Sequence, residues 1–319
     1  MAMDRTLLGI LNLCAGVFVF TAQDTILKAV SGSYPLTEAM ALRAIVAGPI
    51  LGFIVWRGEG FAALSRNAGF LFARAIVLFL AYFAYYLAFP ALPLADAVAL
   101  YFTVPLFVVV LAGPYLGERS NAKVWGAVLI GLIGVVIMLR PGAGLFEPAA
   151  LLSLFAAVVY AFGQLMARKK GATTSAAVFA FWQNGFFLTV AVSLPLIFTA
   201  LGITDAPHPS LKFLVRPWVW PTPFDALLMM SCGIIAAAGT ILLVNGYRLA
   251  PANTAAAFEY TGLIWVSLFT YVFFGEVPGT ATIIGALFIV AAGLLALKAQ
   301  RNRISDVRSP AAERPLAQS

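Results

Sequence analysis

Residues Asn245–Leu297 repeat, in order, the punctuation of residues Leu87–Leu139. Pro93 corresponds to Pro251, Ala97 and Ala99 to Ala255 and Ala257, and Gly117-Glu118 to Gly275-Glu276, all at one offset. After a one-residue slip, Gly126-Ala127 aligns with Gly285-Ala286 and Gly134 with Gly293. Each copy reads as a Pro-containing turn, an apolar run of about 22 residues, a Gly-Glu stop and a second apolar run, and about 20 apolar residues suffice to cross a bilayer's hydrocarbon. The repeated unit is therefore a pair of membrane helices.

Composition sets the class of the whole chain. Hydrophobic residues make up 62% and charged residues 10%, outside the mix of a soluble domain. The formal charge of +7 could point to nucleic acid, but Lys and Arg fall mostly between apolar runs, which is a topology signal. Cys14 and Cys232 lie in separate apolar runs, and the chain carries no C-x-x-C or Cys/His metal spacing.

The first apolar run, Leu7–Val30, is expected to stay attached, because Arg5 is a thin n-region and Phe20 spoils the small-x-small pattern before Ala22. Further helices are expected at 35–56, 67–90, 93–114, 121–140, 148–168, 174–200, 222–249, 252–274 and 278–298, ten in all. The polar stretch 299–319 is expected to form a disordered cytoplasmic tail. With the N-terminus inside, Arg5, Arg57, Arg66, Arg119, Lys123, Arg168, Lys169, Lys170, Arg248 and the tail basics fall on the cytoplasmic side. Arg140, Lys212 and Arg216 fall outside, so both termini are placed in the cytoplasm. Trp218 and Trp220, in the loop between helices seven and eight, suit the headgroup level.

An odd number of helices separates the two copies, so the halves 1–140 and 141–298 are expected to lie in opposite orientations. Their opening helices also correspond, Gln23 with Gln164 and Lys28 with Lys169. Inverted repeats are a device of secondary carriers, which build one site at the midplane and expose it alternately. On Pro93, Gly117, Glu118, Gly126 and Gly134, and on Pro251, Gly275, Glu276, Gly285 and Gly293, the chain resembles the ten-helix EamA branch of the drug/metabolite transporter superfamily. The resemblance covers about residues 5–298, apart from an extended seventh-to-eighth loop. It implies a small-metabolite carrier, similar to exporters of aromatic or varied amino acids, in the cell's inner membrane.

Ionisable groups inside a bilayer are costly, so each is a functional candidate. Glu259 lies about eight residues into the ninth helix, where Tyr101 is its counterpart in the first half. It could accept a substrate ammonium or cycle a proton, or simply hydrogen-bond a neighbouring helix. Asp24, Lys28, Glu38 and Arg43 read as ion pairs joining the first two helices or as groups at the outer rim. Arg74 and Asp96 read as snorkelled or capping groups near helix ends. Glu118 and Glu276 each precede a helix whose first amides would welcome a carboxylate.

Aromatic rings are the second lead. Tyr82, Tyr85 and Tyr86 on helix three, Tyr101 on helix four, Tyr160 on helix six, Trp182 on helix seven, and Phe258 and Tyr260 on helix nine could line an apolar cavity or face lipid. Gln23 and Gln164 could hydrogen-bond substrate or join helices. The expected substrate-binding set is Tyr82, Tyr86, Tyr101, Glu259, Gln23, Gln164, Trp182, Phe258 and Tyr260. Pro49, Pro105 and Pro195 interrupt helices, and Gly126, Gly131, Gly134, Gly285 and Gly293 allow close packing.

An enzyme would need a nucleophile, metal or acid–base pair, yet the single His208 lies in a loop between two prolines and no G-x-S-x-G occurs. A channel filter, a nucleotide-binding loop and any cofactor motif are likewise missing from the sequence. The expected partners are a small-molecule substrate and the lipid bilayer, with coupling to protons left open by the sequence, no nucleic acid and no required oligomer. The favoured cargo is amino acids, moved outward by alternating access. The alternative is another small metabolite or a hydrophobic cation.

Overall fold

The computed structural model describes residues 2–92, 100–118, 120–139, 149–274 and 279–308. Pro93, Asp96, Ala97, Ala99, Arg119, Arg140, Gly275 and Glu276 lie outside the described residues, as does the side chain of Lys28. The described chain is helical: α1 Ala2–Ser31, α2 Leu36–Gly58, α3 Ala68–Ala88, α4 Val104–Leu116, α5 Ala122–Leu139 and α6 Ala150–Lys170. It continues as α7 Ala176–Ala200, α8 Pro209–Val215, α9 Pro223–Leu249, α10 Ala252–Glu259, α11 Thr261–Phe274 and α12 Thr280–Arg308. Six of these, α1, α2, α3, α6, α7 and α9, are long and apolar enough to cross a membrane. Large apolar side chains such as Phe53, Leu129, Leu196, Ile234 and Leu294 are exposed on the outside, where a bilayer would cover them.

Helices pair across the expected halves. α1 packs on α9, α2 on α7, α3 on α6 and α5 on α12, with further seams between α2 and α9 and between α3 and α7. Numbering the expected helices one to five in each half, this set maps onto itself when the halves are exchanged. Close approach carries two seams. A Cβ on Gly16 would stand 2.9 Å from the amide of Leu243, and one on Gly134 2.8 Å from the carbonyl of Gly285. Small residues of this kind are what let membrane helices touch backbone to backbone.

Three local departures have physical causes. The expected ninth helix is two helices, α10 and α11, divided at Tyr260, and the fourth has a turn at Phe102–Thr103 before α4. At both breaks a threonine hydroxyl takes the carbonyl three residues back. Thr103 Oγ1 donates to Leu100 O at 2.6 Å and Thr261 Oγ1 to Phe258 O at 2.7 Å. Such back-bonds compete with the helix ladder, and at the first break Pro105 also removes a donor.

The last helix runs past 298 to Arg308, and residues 309–319 of the expected tail lie outside the described residues. No breaker intervenes before Pro310, and the residue ahead of a proline disfavours helix. The seventh-to-eighth loop also contains structure. His208 Nδ1 accepts from the amide of Ser210 at 3.2 Å, and Pro209 opens α8 in the first-turn position that suits it.

That loop is tied down. Trp218 Nε1 donates to Thr37 Oγ1 at 2.9 Å, the amide of Val219 to Glu38 Oε2 at 3.1 Å, and Arg216 Nη1 to Gly32 O at 3.1 Å. Glu38 is therefore a buried anchor of that loop, 3% exposed. Asp205 accepts from the amide of Ala206 and pairs with Lys212 at 3.4 Å, which hold its carboxyl below the usual range. Trp218 is partly exposed and Trp220 almost wholly so.

Candidate functional site

Tyr82 is the centre of a cluster of rings contributed by four helices. Its ring centroid lies 6.2 Å from Tyr86 on the same helix, 5.8 Å from Tyr160 of α6, 5.9 Å from Phe187 of α7 and 6.3 Å from Phe20 of α1. Tyr101, just before α4, closes the group at 4.3 Å from Tyr85 and 5.6 Å from Tyr160. The spacing Tyr82–Tyr86 puts both rings on one helix face, and Gln164 follows Tyr160 by the same four residues. Edge-to-face and offset pairs of this sort are mutually attractive and leave hydroxyls pointing into an apolar surround.

Two carboxylates adjoin this cluster. Asp24 Oδ1 accepts from Tyr86 Oη at 3.4 Å, and Tyr86 in turn accepts from Gln23 Nε2 at 3.4 Å. Arg43 is in electrostatic range of Asp24 and sits 5.3 Å over the Phe187 ring. Glu259 Oε1 accepts from Tyr247 Oη at 2.9 Å, and the Tyr160 hydroxyl also reaches this carboxylate. Tyr82 is within electrostatic range of Asp24, Glu259, Arg43 and Arg74. Glu259 is 7% exposed and is the last residue of α10, at the break between two helices. Discontinuous helices mark the midplane sites of many carriers.

Several buried polar atoms have no partner. Gln23 Oε1, Gln164 Oε1, Arg43 Nε and Arg74 Nη2 lack hydrogen bonds, though all four residues are at most 6% exposed. Unmet hydrogen-bonding capacity in an apolar interior is costly and suits a site that meets a polar ligand.

Arg43 is buried and within electrostatic range of Asp24 on α1, which favours the reading of this set as groups joining the first two helices over that of rim groups. Arg74 is 1% exposed, donates Nε to Gly163 O at 3.0 Å and lies 4.8 Å over Phe179. It does not snorkel, because bare Gly163 leaves its carbonyl open to α3.

Three expected site residues lie elsewhere. Trp182 Nε1 donates to Leu64 O at 3.1 Å, and its ring packs on Phe72, so it supports the α2–α3 connection. Phe258 faces Gly293 of α12, where a Cβ would meet its ring at 3.2 Å. Tyr260 is fully buried, donates to Val128 O at 3.2 Å and fills the space left by Gly131. Its ring stacks on Phe102, its own counterpart in the first copy, at 6.2 Å. Tyr247 and Phe187 are site residues that sequence reasoning missed. Only the short Pro251 turn, which lays α9 beside α10, hinted at Tyr247.

The model of the EamA-like transporter family matches this chain twice, over residues 7–140 and 147–298. The chain belongs to the EamA-like transporter family. Among its relatives is the pseudopaline exporter CntI of Pseudomonas aeruginosa, 25% identical over 92% of this chain and 96% of that protein. Another is the S-adenosylmethionine uptake transporter of Rickettsia bellii, 25% identical over 80% of this chain and 81% of its own length. A crystal structure superposes at a TM-score of 0.75 with 21% identity, over 94% of this chain and 98% of that one, and shows the fold alone. This EamA-like protein is thus a small-molecule transporter by family, and its relatives are named for both export and uptake.

Proposed function

We propose that this EamA-like transporter carries amino acids of varied side chain outward across the inner membrane by alternating access. The observation that carries the reading is Glu259. It is a buried carboxylate held only by phenol hydroxyls, with no salt bridge among the described residues, at a helix break beside the Tyr82 ring cluster. A substrate ammonium supplies the cation that such a group needs. The rings of Tyr82, Tyr86 and Tyr101 accept apolar or aromatic side chains without demanding one shape. Gln23, Gln164 and Arg43 keep unpaired polar atoms for the remainder of a zwitterion.

The exchangeable pairing of helices and the equivalence of Tyr101 with Glu259 support two inverted halves, 1–140 and 141–298, that rock about this layer. The family and its named relatives support a carrier over an enzyme. A hydrophobic cation is the second reading, because a carboxylate framed by aromatic rings also recognises that chemistry.

Equilibrium binding of labelled tryptophan to purified protein, competed with other amino acids and with tetraphenylphosphonium, tests the proposal. Competition by several amino acids and its loss in Glu259→Gln are expected. Displacement by the organic cation alone would replace the amino-acid reading with the second one.

A further inference from the structure

We propose that Phe213, carried by the short helix α8, closes one end of the ring cluster and limits how large a cargo side chain the site accepts. This rests on the amino-acid reading above and adds a residue that sets selectivity within it.

The extended loop between α7 and α9 presents this residue. Pro209 opens α8, and the turn of helix that follows places Ser210 and Phe213 on one face. Both are buried, while Leu211 and Lys212 between them are exposed. Phe213 belongs to the same cluster of buried side chains as Tyr85, Tyr86 and Phe187. Accordingly α8 packs on α3, which carries the two tyrosines, and on α2. Beside Phe213 the hydroxyl of Ser210 is buried without a hydrogen-bond partner, which suits a wall that meets polar groups of a ligand.

Two features separate this arrangement from ordinary loop packing. The corresponding loop of the first half, residues 59–67, holds only the 3-10 helix Phe61–Leu64. There Phe61 is exposed, and the buried Ala63 belongs to a different cluster. The inserted aromatic is therefore an addition to one half alone. The second feature is how α8 is held. Arg216, Trp218 and the amide of Val219 are bonded to Gly32, Thr37 and Glu38, and Tyr34 Oη accepts the amide of Thr222 at 3.2 Å. These bonds grip the chain just after α8 and fasten it to residues 32–38 of the other half. Trp218 and Glu38 thus act as positioning residues that keep Phe213 seated.

A side chain stacked on Tyr86 and Phe187 meets the Phe213 ring at this end. Removing that ring gives room to larger side chains and takes contact away from none of the smaller ones that leave the end empty. An apolar pocket discriminates by about 10–200-fold for a small step in size, so the effect falls on selectivity.

The test uses detergent-purified full chain and competes labelled tryptophan with threonine and with p-benzoylphenylalanine, reading the ratio of the two inhibition constants. Phe213→Ala is expected to shift the ratio about tenfold or more toward the bulky competitor. Phe213→Trp is expected to shift it the other way. A residue that only supports the fold changes both constants together and leaves the ratio alone. Monodisperse elution of each variant separates a changed wall from a lost fold. Wild-type ratios in both variants overturn the size limit and leave the amino-acid reading intact. Failure of every amino acid to bind wild type removes that reading, and the size limit falls with it.

Discussion

Glu118 Oε2 accepts the amide of Ala252 at 2.9 Å, so the Gly-Glu stop of the first copy caps the broken helix of the second. Its other oxygen takes Arg168 Nε at 3.0 Å, and Arg168 Nη1 reaches the carbonyl of Arg248 at 2.9 Å. The expectation that Glu118 would cap the helix directly following it is corrected here. Asn121 fills that role instead, its Oδ1 accepting from the amide of Val124 at 2.9 Å. Glu118 is left to tie the two copies together at the first residue of α10.

Replacing Glu118 with Gln removes the ion pair and weakens the cap of α10. A loss of about 1–3 kcal/mol is expected from cap and charged hydrogen bond together. Thermal unfolding in detergent measures it. At the same time a cysteine placed at Gln164 is expected to label faster, because one bond between the two copies is gone. Unchanged melting and labelling would show that the tie carries no load.

Helix seams respond according to the space at each glycine. Gly16→Ala sets a methyl 2.9 Å from backbone on α9 and is expected to cost about 1–3 kcal/mol through overpacking. Gly185→Ala meets nothing within 4 Å and is expected to be neutral or to stabilise by up to about 1 kcal/mol through helix propensity. Melting of the pair in one detergent checks the contrast, and equal loss in both would contradict the packing described.

Tyr82 touches more of the ring cluster than any single neighbour could replace. Tyr82→Ala is expected to cut amino-acid exchange at least tenfold while Tyr82→Phe, which keeps the ring, retains most of it, a difference of about 1.4 kcal/mol or more. Initial exchange rates in proteoliposomes decide this. Wild-type exchange in the alanine variant would remove the ring cluster from the transport path.

The loop between α7 and α9 is held by a few specific bonds. Trp218→Phe removes the bond to Thr37 Oγ1, worth about 1 kcal/mol, and is expected to raise the cleavage rate of the loop 201–222 about fivefold. Limited proteolysis of folded protein provides the readout. No change in rate would mean that Arg216 and Glu38 suffice.

The sequence carried the helices and the likeness of the two halves because apolar runs and their Gly, Pro and Glu punctuation are local. Tyr101 and Glu259 were recognisable as counterparts, and each lies beside the break in its helix. Which face of each helix points inward was another matter. A membrane helix is apolar all round, so no stripe separates Tyr82 from Trp182 or Glu259 from Tyr260. Trp182, Phe258 and Tyr260 make their own contacts outside the Tyr82 ring pairs, and Phe187 and Tyr247 went unnoticed. Arg74 hid its role because its partner is the carbonyl of Gly163, which no spacing reveals.

Counterflow in proteoliposomes tests the central claim most directly. Vesicles loaded with one unlabelled amino acid are given labelled threonine or tryptophan, with wild type and Glu259→Gln reconstituted side by side. The account predicts saturable uptake into the wild-type vesicles, blocked by several other amino acids, and background uptake with the variant. Wild-type vesicles that exchange no amino acid, or a variant that exchanges as fast as wild type, would contradict it.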